Sequence, residues 1–233
     1  MVLAGGLGVA KARNFGGRQT SGDVLVFADA HLRLPAKWWQ PLVEVLEDKT
    51  VGAVAPAICG INPKHLAGYG ITFRGPAMEV KWLKQRSRHP AEVPILPGCT
   101  LAMRRQVFRR ACGGWDSGLL GRGNVDNEIS VRLWLLGYRL LVVPEVVVKH
   151  RFRKKSPFHV GWPQYLHNRL RLAFAHFTDE RLARVVAGLK KYPDFGAALR
   201  LVAESDIAAR RKQLLLARQR DDDWYFERFR LHW

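Results

Sequence analysis

The period of apolar positions changes several times along this chain, and each change marks an element. Asp23-Val-Leu-Val-Phe-Ala28 is an apolar run bounded by Gly22 and Asp29, which predicts a strand buried on both faces of a parallel-type sheet. Pro35 stands where a helix can begin, and Trp38, Leu42, Val45 and Leu46 recur at helical spacing through Glu47. Val51 to Ile58 reads as a second buried strand, and the strand–helix–strand order implies α/β layers. Residues 59–98 carry scattered Gly and Pro, with short strands around Ile71–Phe73 and Met78–Leu83. Thr100–Met103 predicts another strand, Arg105–Ala111 a short helix, and Gly113-Gly114 a turn. Asn127–Leu136 reads as an amphipathic helix closed by Gly137, and Tyr138–Val148 as a strand pair broken at Pro144.

From Pro163 the pattern turns helical. Leu166, Leu170, Leu172, Phe174 and Phe177 mark one amphipathic helix, and Thr178-Asp179 can cap the next. Further helices are predicted over Phe195–Val202 and Ile207–Arg218. No internal repeat and no low-complexity linker interrupts the chain. Two parts are therefore expected: an α/β domain over 1–160 and a helical extension over 161–233.

Length and apolar content, 233 residues and 48% hydrophobic, suit one packed domain with a helical appendage. Charge changes the picture more. Lys and Arg number 38 against 20 Asp and Glu, a net +18 that attracts phosphate in any form: nucleic acid, anionic lipid or a nucleoside diphosphate. Cys59, Cys99 and Cys112 form no Cys-x-x-Cys pair and leave an odd count, so neither a disulfide framework nor a zinc knuckle is expected and a reducing compartment is. No apolar run has the length to span a bilayer, and Met1–Ala10 has no cationic segment of the kind that opens a signal peptide. The expected location is cytoplasmic, with peripheral contact to a membrane.

Candidate chemistry begins at the end of the first strand. Asp29-Ala30-His31 stands where ligands bind in open α/β sheets, and an oxygen and an imidazole two residues apart can share one divalent metal. Alone, this pair reads equally well as a capping Asp beside an incidental His. Asp126 and Glu128 open a helix after the Gly118–Gly123 loop, where acids also serve simply as caps. His150 ends a strand within Val148-Lys-His-Arg-Phe-Arg153, a basic stretch in which a surface histidine would be ordinary. Occurring together and in this order, the three features are not best explained as caps and a surface histidine.

These residues carry a family resemblance. Ala10-Lys-Ala-Arg-Asn14, the segment Gly22–Pro35 with its Asp-x-His, and the block Pro97–Pro157 resemble family 2 glycosyltransferases of the GT-A fold, especially the branch similar to polypeptide N-acetylgalactosaminyltransferases. The last block holds Gly98-Cys99, Gly113-Gly114-Trp115-Asp116, Asn127-Glu128-Ile129-Ser130 and His150-x-Phe152-Arg153. The resemblance implies an α/β, GT-A-like (Rossmann-like) mixed sheet with a C-terminal helical extension. It also implies transfer of a sugar from a nucleotide-diphosphate sugar, a UDP-sugar by preference, to a glycan, lipid-linked or protein acceptor. Asp29, His31 and His150 would hold Mn²⁺ or Mg²⁺ against the donor diphosphate. Arg13, Asn14, Asp29, Arg151 and Arg153 would contact the donor. Asp126 and Glu128 would face the reacting sugar and acceptor, with Asp126 as candidate base. The position before Asp126, acidic in many relatives, is Val125, which leaves open whether transfer inverts or retains. Gly98, Trp115 and Asp116 would touch sugar or acceptor.

In that family a strand, a helix and a second strand ending in an acidic pair precede the segment that resembles Ala10–Asn14. Nothing similar precedes Ala10, so an N-terminally truncated domain is expected, with an exposed sheet edge across which a homodimer can form. Arg210-Arg211-Lys212 and Arg218, on helices that carry Leu214–Leu216, suit either an anionic membrane or ordinary packing, and Asp221–Asp223 reads as an exposed acidic turn. Two other functions fit parts of the sequence. One is an inactive or fragmentary relative acting as a binding or structural partner. The other is a basic nucleic-acid-binding protein, against which stands the lack of any specific nucleic-acid motif.

Overall fold

The computed structural model describes residues 6–62, 66–111, 113–153 and 161–233. Cys112 and the 154–157 end of the resembling block lie outside the described residues, as do residues 1–5.

Helix α1 (Gly8–Gln19) opens the fold. Gly8, Gly16 and Gly17 lower its helix propensity, which is why apolar periodicity does not reveal it. Strands β1 (Val24–Ala28) and β2 (Leu32–Arg33), helix α2 (Gln40–Val45) and the long strand β3 (Val51–Gly60) follow. A hairpin of β4 (Ile71–Phe73) and β5 (Val80–Trp82) forms its own small sheet. Then come β6 (Ala91–Glu92), β7 (Thr100–Arg104), a π-helical turn over Val107–Ala111, helix α3 (Val125–Leu135) and strand β8 (Arg139–His150). The chain finishes with α4 (Trp162–His176), α5 (Asp179–Leu189), α6 (Phe195–Ala203), α7 (Ile207–Ala217) and α8 (Asp222–Arg228). Among the described residues no helix is long and apolar enough to cross a membrane.

The main sheet runs β1-β7-β3-β8-β2, with β6 added against β8. β3 and β8 are parallel, whereas β7 is antiparallel to both β1 and β3, so the sheet is mixed as expected. β3, in the middle, is buried along almost its whole length. β1 departs from the sequence expectation: Leu25 and Phe27 are buried, but Val26 is 39% exposed. The reason is position, since β1 lies at the sheet edge and pairs only with β7 among the described residues. One of its faces is therefore open.

Tyr138–Val148 also differs from expectation. It belongs to one strand with a bulge, not to a strand pair. Pro56 of β3 pairs with Val143, yet the next residue, Ala57, pairs with Val147, so 144–146 loop out of the ladder. Pro56 and Pro144 both lack an amide hydrogen and both sit at this break, where a central sheet can accept them.

Two apolar layers sandwich the sheet. Leu42 and Leu46, from α2 and its end, cover one face over Val54, Ile58 and Val148. The other face packs against α3, and the same core extends through Leu170 of α4, Val185 of α5, Val202 of α6 and Tyr225 of α8. Helix α3 was expected to be amphipathic and is instead enclosed, with ten of its eleven residues buried. Its end is closed as expected. Gly137 adopts φ +92°, Tyr138 N–H donates to Leu133 C=O and Gly137 N–H donates to Trp134 C=O, the doubled bonding of a left-handed helix stop.

Charged groups inside this layer are paired. Arg171 of α4 grips Asp116 through two hydrogen bonds of 2.7 and 2.9 Å, both side chains enclosed. Asp222 corrects the expectation of an exposed acidic turn. It is fully buried, accepts from Thr178 N–H at 2.8 Å and pairs with Arg181, while Asp221 caps α8 by accepting from Trp224 N–H.

Burial alone would raise the Asp116 carboxyl, but the Arg171 hydrogen bonds and charge outweigh it and hold the pKa down to about 2. An unfolded chain protonates Asp near about 3.9. The pair therefore contributes in full above about pH 4, and its contribution, about 2 kcal/mol, is lost as pH falls toward 2. Urea unfolding at pH 5 and at low pH should show the parent chain losing that much more stability than Asp116→Asn; parallel losses in the two proteins would refute the assignment.

Candidate metal centre and its surrounding face

Backbone pairing assembles the metal-binding candidates. β1 ends at Ala28 and delivers Asp29, whose N–H donates to Cys99 C=O at 2.9 Å. β2 pairs antiparallel with the last residues of β8, Leu32 opposite His150 and Arg33 opposite Lys149. That pairing sets the His31 and His150 rings 4.6 Å apart and tilted by 51°. Asp29 Oδ2 lies 3.2 Å from His150 Nε2 and 3.9 Å from His31 Nε2. One ligand atom from each residue falls within 4.8 Å of the others.

The donor set suits a divalent cation. One carboxylate oxygen and two imidazoles are acceptable ligands for Mn²⁺ and neighbouring first-row ions. Ligands on one ion of this size stand about 3 Å apart, so the observed spacings need little closure. Among the described residues His150 Nδ1 is buried without a hydrogen-bond partner, so the ring is not committed to another of those groups on that side. Burial raises the Asp29 pKa, but the hydrogen bond from His150 and the charges of Arg13, His150 and His31 bring it below the ordinary carboxylate value.

A second cluster adjoins the first. Arg13 of α1 donates from Nη1 to Asp126 Oδ1 and from Nη2 to Gly98 C=O, each at 2.6 Å. Asp126, in the first turn of α3, keeps 34% of its side chain exposed. Gly98 must be glycine here: a Cβ would stand 1.8 Å from Asp126 Oδ1. Cys99 links the clusters. Burial above all, and the charges of Asp29 and Asp126, push its thiol up to about 12. Arg13, Asp29, Gly98, Asp126, His31 and His150 thus form one continuous face.

Other sequence candidates lie behind that face. Asn14 is buried and clamps the Gly113–Ser117 loop, donating to Trp115 C=O at 2.8 Å and accepting from Trp115 N–H at 2.7 Å. Trp115 is buried beneath the Arg13 guanidinium, which sits 5.3 Å from its ring centre. Asp116 is committed to Arg171. Glu128 is completely enclosed between Arg132 at 2.9 Å and His176 at 3.0 Å. Against the cost of burial, these two partners hold its pKa below the ordinary value. Arg151 and Arg153 are exposed just beyond His150.

Sequence reasoning missed an aromatic pair beside the triad. Trp82 and Phe152 are 42% and 43% exposed, with ring centroids 6.2 Å apart at 84°. Phe152 also stacks edge-on against His150, 4.4 Å between centroids. Gly68 makes room for the indole, since a Cβ there would meet Trp82 at 2.2 Å. Phe152 lay within a quoted motif and its exposure was the missing clue. Trp82 lies on a three-residue strand and carried no periodic signal.

Known proteins share sequence and fold with this chain. Residues 1–111 match the family model "Glycosyl transferase family 2". The chain is 29% identical over 181 residues to "Probable N-acetylgalactosaminyltransferase 8" of Caenorhabditis elegans, covering 71% of this chain and 43% of the relative. It is 32% identical over 181 residues to "Polypeptide N-acetylgalactosaminyltransferase 11" of Xenopus tropicalis, covering 71% and 30%. The chain thus spans less than half the length of these relatives. A crystal structure of GalNAc-T7 with UDP, GalNAc and Mn²⁺ superposes with a TM-score of 0.72 at 22% identity, covering 96% of this chain and 44% of that one, a likeness of fold. This fold, this order of motifs and these relatives support a GT-A, family 2-like glycosyltransferase.

Proposed function

We propose that this chain is the metal- and diphosphate-holding part of a glycosyltransferase that moves N-acetylgalactosamine from UDP to a hydroxyl of a polypeptide. The observation that carries the reading is the convergence of Asp29, His31 and His150 at one end of the main sheet. The relatives' names supply the sugar and the acceptor class. In this reading residues 1–160 form the catalytic part, and the helices of 161–233 brace α3 from behind.

Asp29, His31 and His150 would hold a divalent cation, Mn²⁺ by its donor set. When bound, such a cation neutralises the negative charge that gathers on a departing nucleoside diphosphate. Arg13, Arg151 and Arg153 place further positive charge on the same side. Asp126 commits Oδ1 to Arg13, and among the described residues Oδ2 accepts no hydrogen bond, so Oδ2 is the atom for a sugar or acceptor hydroxyl. Glu128 acts at a distance: its bonds to Arg132 and His176 fix the first turn of α3, and with it the aim of Asp126. Trp82 and Phe152 offer an exposed aromatic surface on which an acceptor can lie.

Calorimetric titration with UDP, with and without Mn²⁺, tests the central claim. Binding should require Mn²⁺ and disappear in Asp29→Ala and in His31→Ala. Metal-independent binding, or none to a folded sample, would sink the reading. The acceptor surface has its own test. Trp82→Ala should leave Mn²⁺-dependent UDP binding intact and raise the acceptor KM on the order of tenfold, as expected for loss of a stacked ring of about 1 kcal/mol or more; an unchanged KM would remove Trp82 from the acceptor surface.

A further inference from the structure

On the opposite side of the β4–β5 hairpin lies a pocket of about 520 Å³ that the metal centre does not use. Successive strand residues point to opposite faces. Trp82 turns toward Gly68 and Phe152, whereas Lys81 and its cross-strand partner Thr72 line this pocket. Its apolar lining includes Val93, Pro94 and Phe229. Five cations surround it: Lys81, Lys84, Arg86, Arg228 and Arg230.

Glu92 is the one carboxylate in the lining, and it is already satisfied. Arg139 donates to it at 2.8 Å and Arg228 pairs with its other oxygen. Burial raises its pKa, but these two arginines more than offset that and keep it ionised. Lys81, Lys84, Arg86 and Arg230 have no acidic partner among the described residues. Four cations without an acidic partner thus surround one concavity. They repel one another, and an anion between them would relieve that repulsion.

The geometry points to an acidic peptide segment as the occupant of this pocket. An apolar lining with a cationic rim suits a chain that alternates Asp or Glu with aliphatic residues. A nucleic acid would call instead for an extended basic stripe and a stacking face. Lys81 of the pocket and Trp82 of the aromatic pair are successive residues of β5, so one polypeptide can touch both. On the function proposed above, the acidic segment belongs to the acceptor and flanks the residue that receives the sugar.

A labelled peptide built only from Asp, Glu and Leu, with no hydroxyl, tests the pocket by fluorescence anisotropy on the full chain without UDP or metal. Binding should weaken with salt and fall roughly tenfold in Lys84→Glu/Arg86→Glu. Lys49→Glu/Lys212→Glu, an equal change of charge at exposed residues outside the pocket, should leave it unaltered. The proposal is overturned if the Asn/Gln version of the peptide binds equally well, or if the distant pair weakens binding as much as the pocket pair. It is also overturned if random duplex DNA or anionic vesicles, rather than the peptide, are the ligands lost in the pocket variant. Because no donor or metal is present, failure here leaves the UDP titration unaffected, and a failed titration leaves this pocket standing.

Discussion

Glu128 is a charged group with no access to water, and much of the molecule is arranged around that fact. An unpaired carboxylate in such a place would cost several kcal/mol. Arg132, one turn later on α3, and His176, at the end of α4, supply its counter-charge and hydrogen bonds. Arg132 extends the network by donating to Gly114 C=O at 2.9 Å, which ties α3 to the loop that Asn14 clamps from α1. Three helices and the Gly-Gly-Trp loop are thereby held in one arrangement. Asp126, one helical step from this network, inherits its position from it.

The same accounting changes the meaning of the net charge. Arg132, Arg169 and Arg171 are enclosed, and each donates to a carboxylate or a backbone carbonyl. Arg104 likewise gathers backbone carbonyls at the end of α2 and the start of β3. Some of the chain's positive charge therefore serves as internal stitching.

The long apolar runs were legible in the sequence because burial on a sheet leaves a simple signature: β3 and β7 stand where the pattern put them. So was the grouping of Asp29, His31 and His150, since residues at strand ends tend to converge. Position within the sheet was not legible. Val24–Ala28 is as apolar as a central strand yet lies at the edge, and composition alone does not distinguish the two. Depth around the site was hidden too. Trp115, Asp116 and Glu128 sit in motifs beside half-buried Asp126; α4 encloses Asp116 and Glu128 through Arg171 and His176, while Phe27, Phe108 and Arg13 cover Trp115. Helix α1 escaped because its glycines mask it, and Trp82 because a three-residue strand has no period to read.

The looped residues at 144–146 govern a matter of parity. Side chains along a strand alternate between faces, yet Val143 and Val147, four residues apart, pair with the successive residues Pro56 and Ala57 and so present opposite sides. The looped residues thus reset the alternation that His150 inherits, and a change in their number would strain either that facing or the pairing of β8 with β2. Most surface loops tolerate changes in length; this one, though it carries no ligand of its own, behaves as a counted spacer.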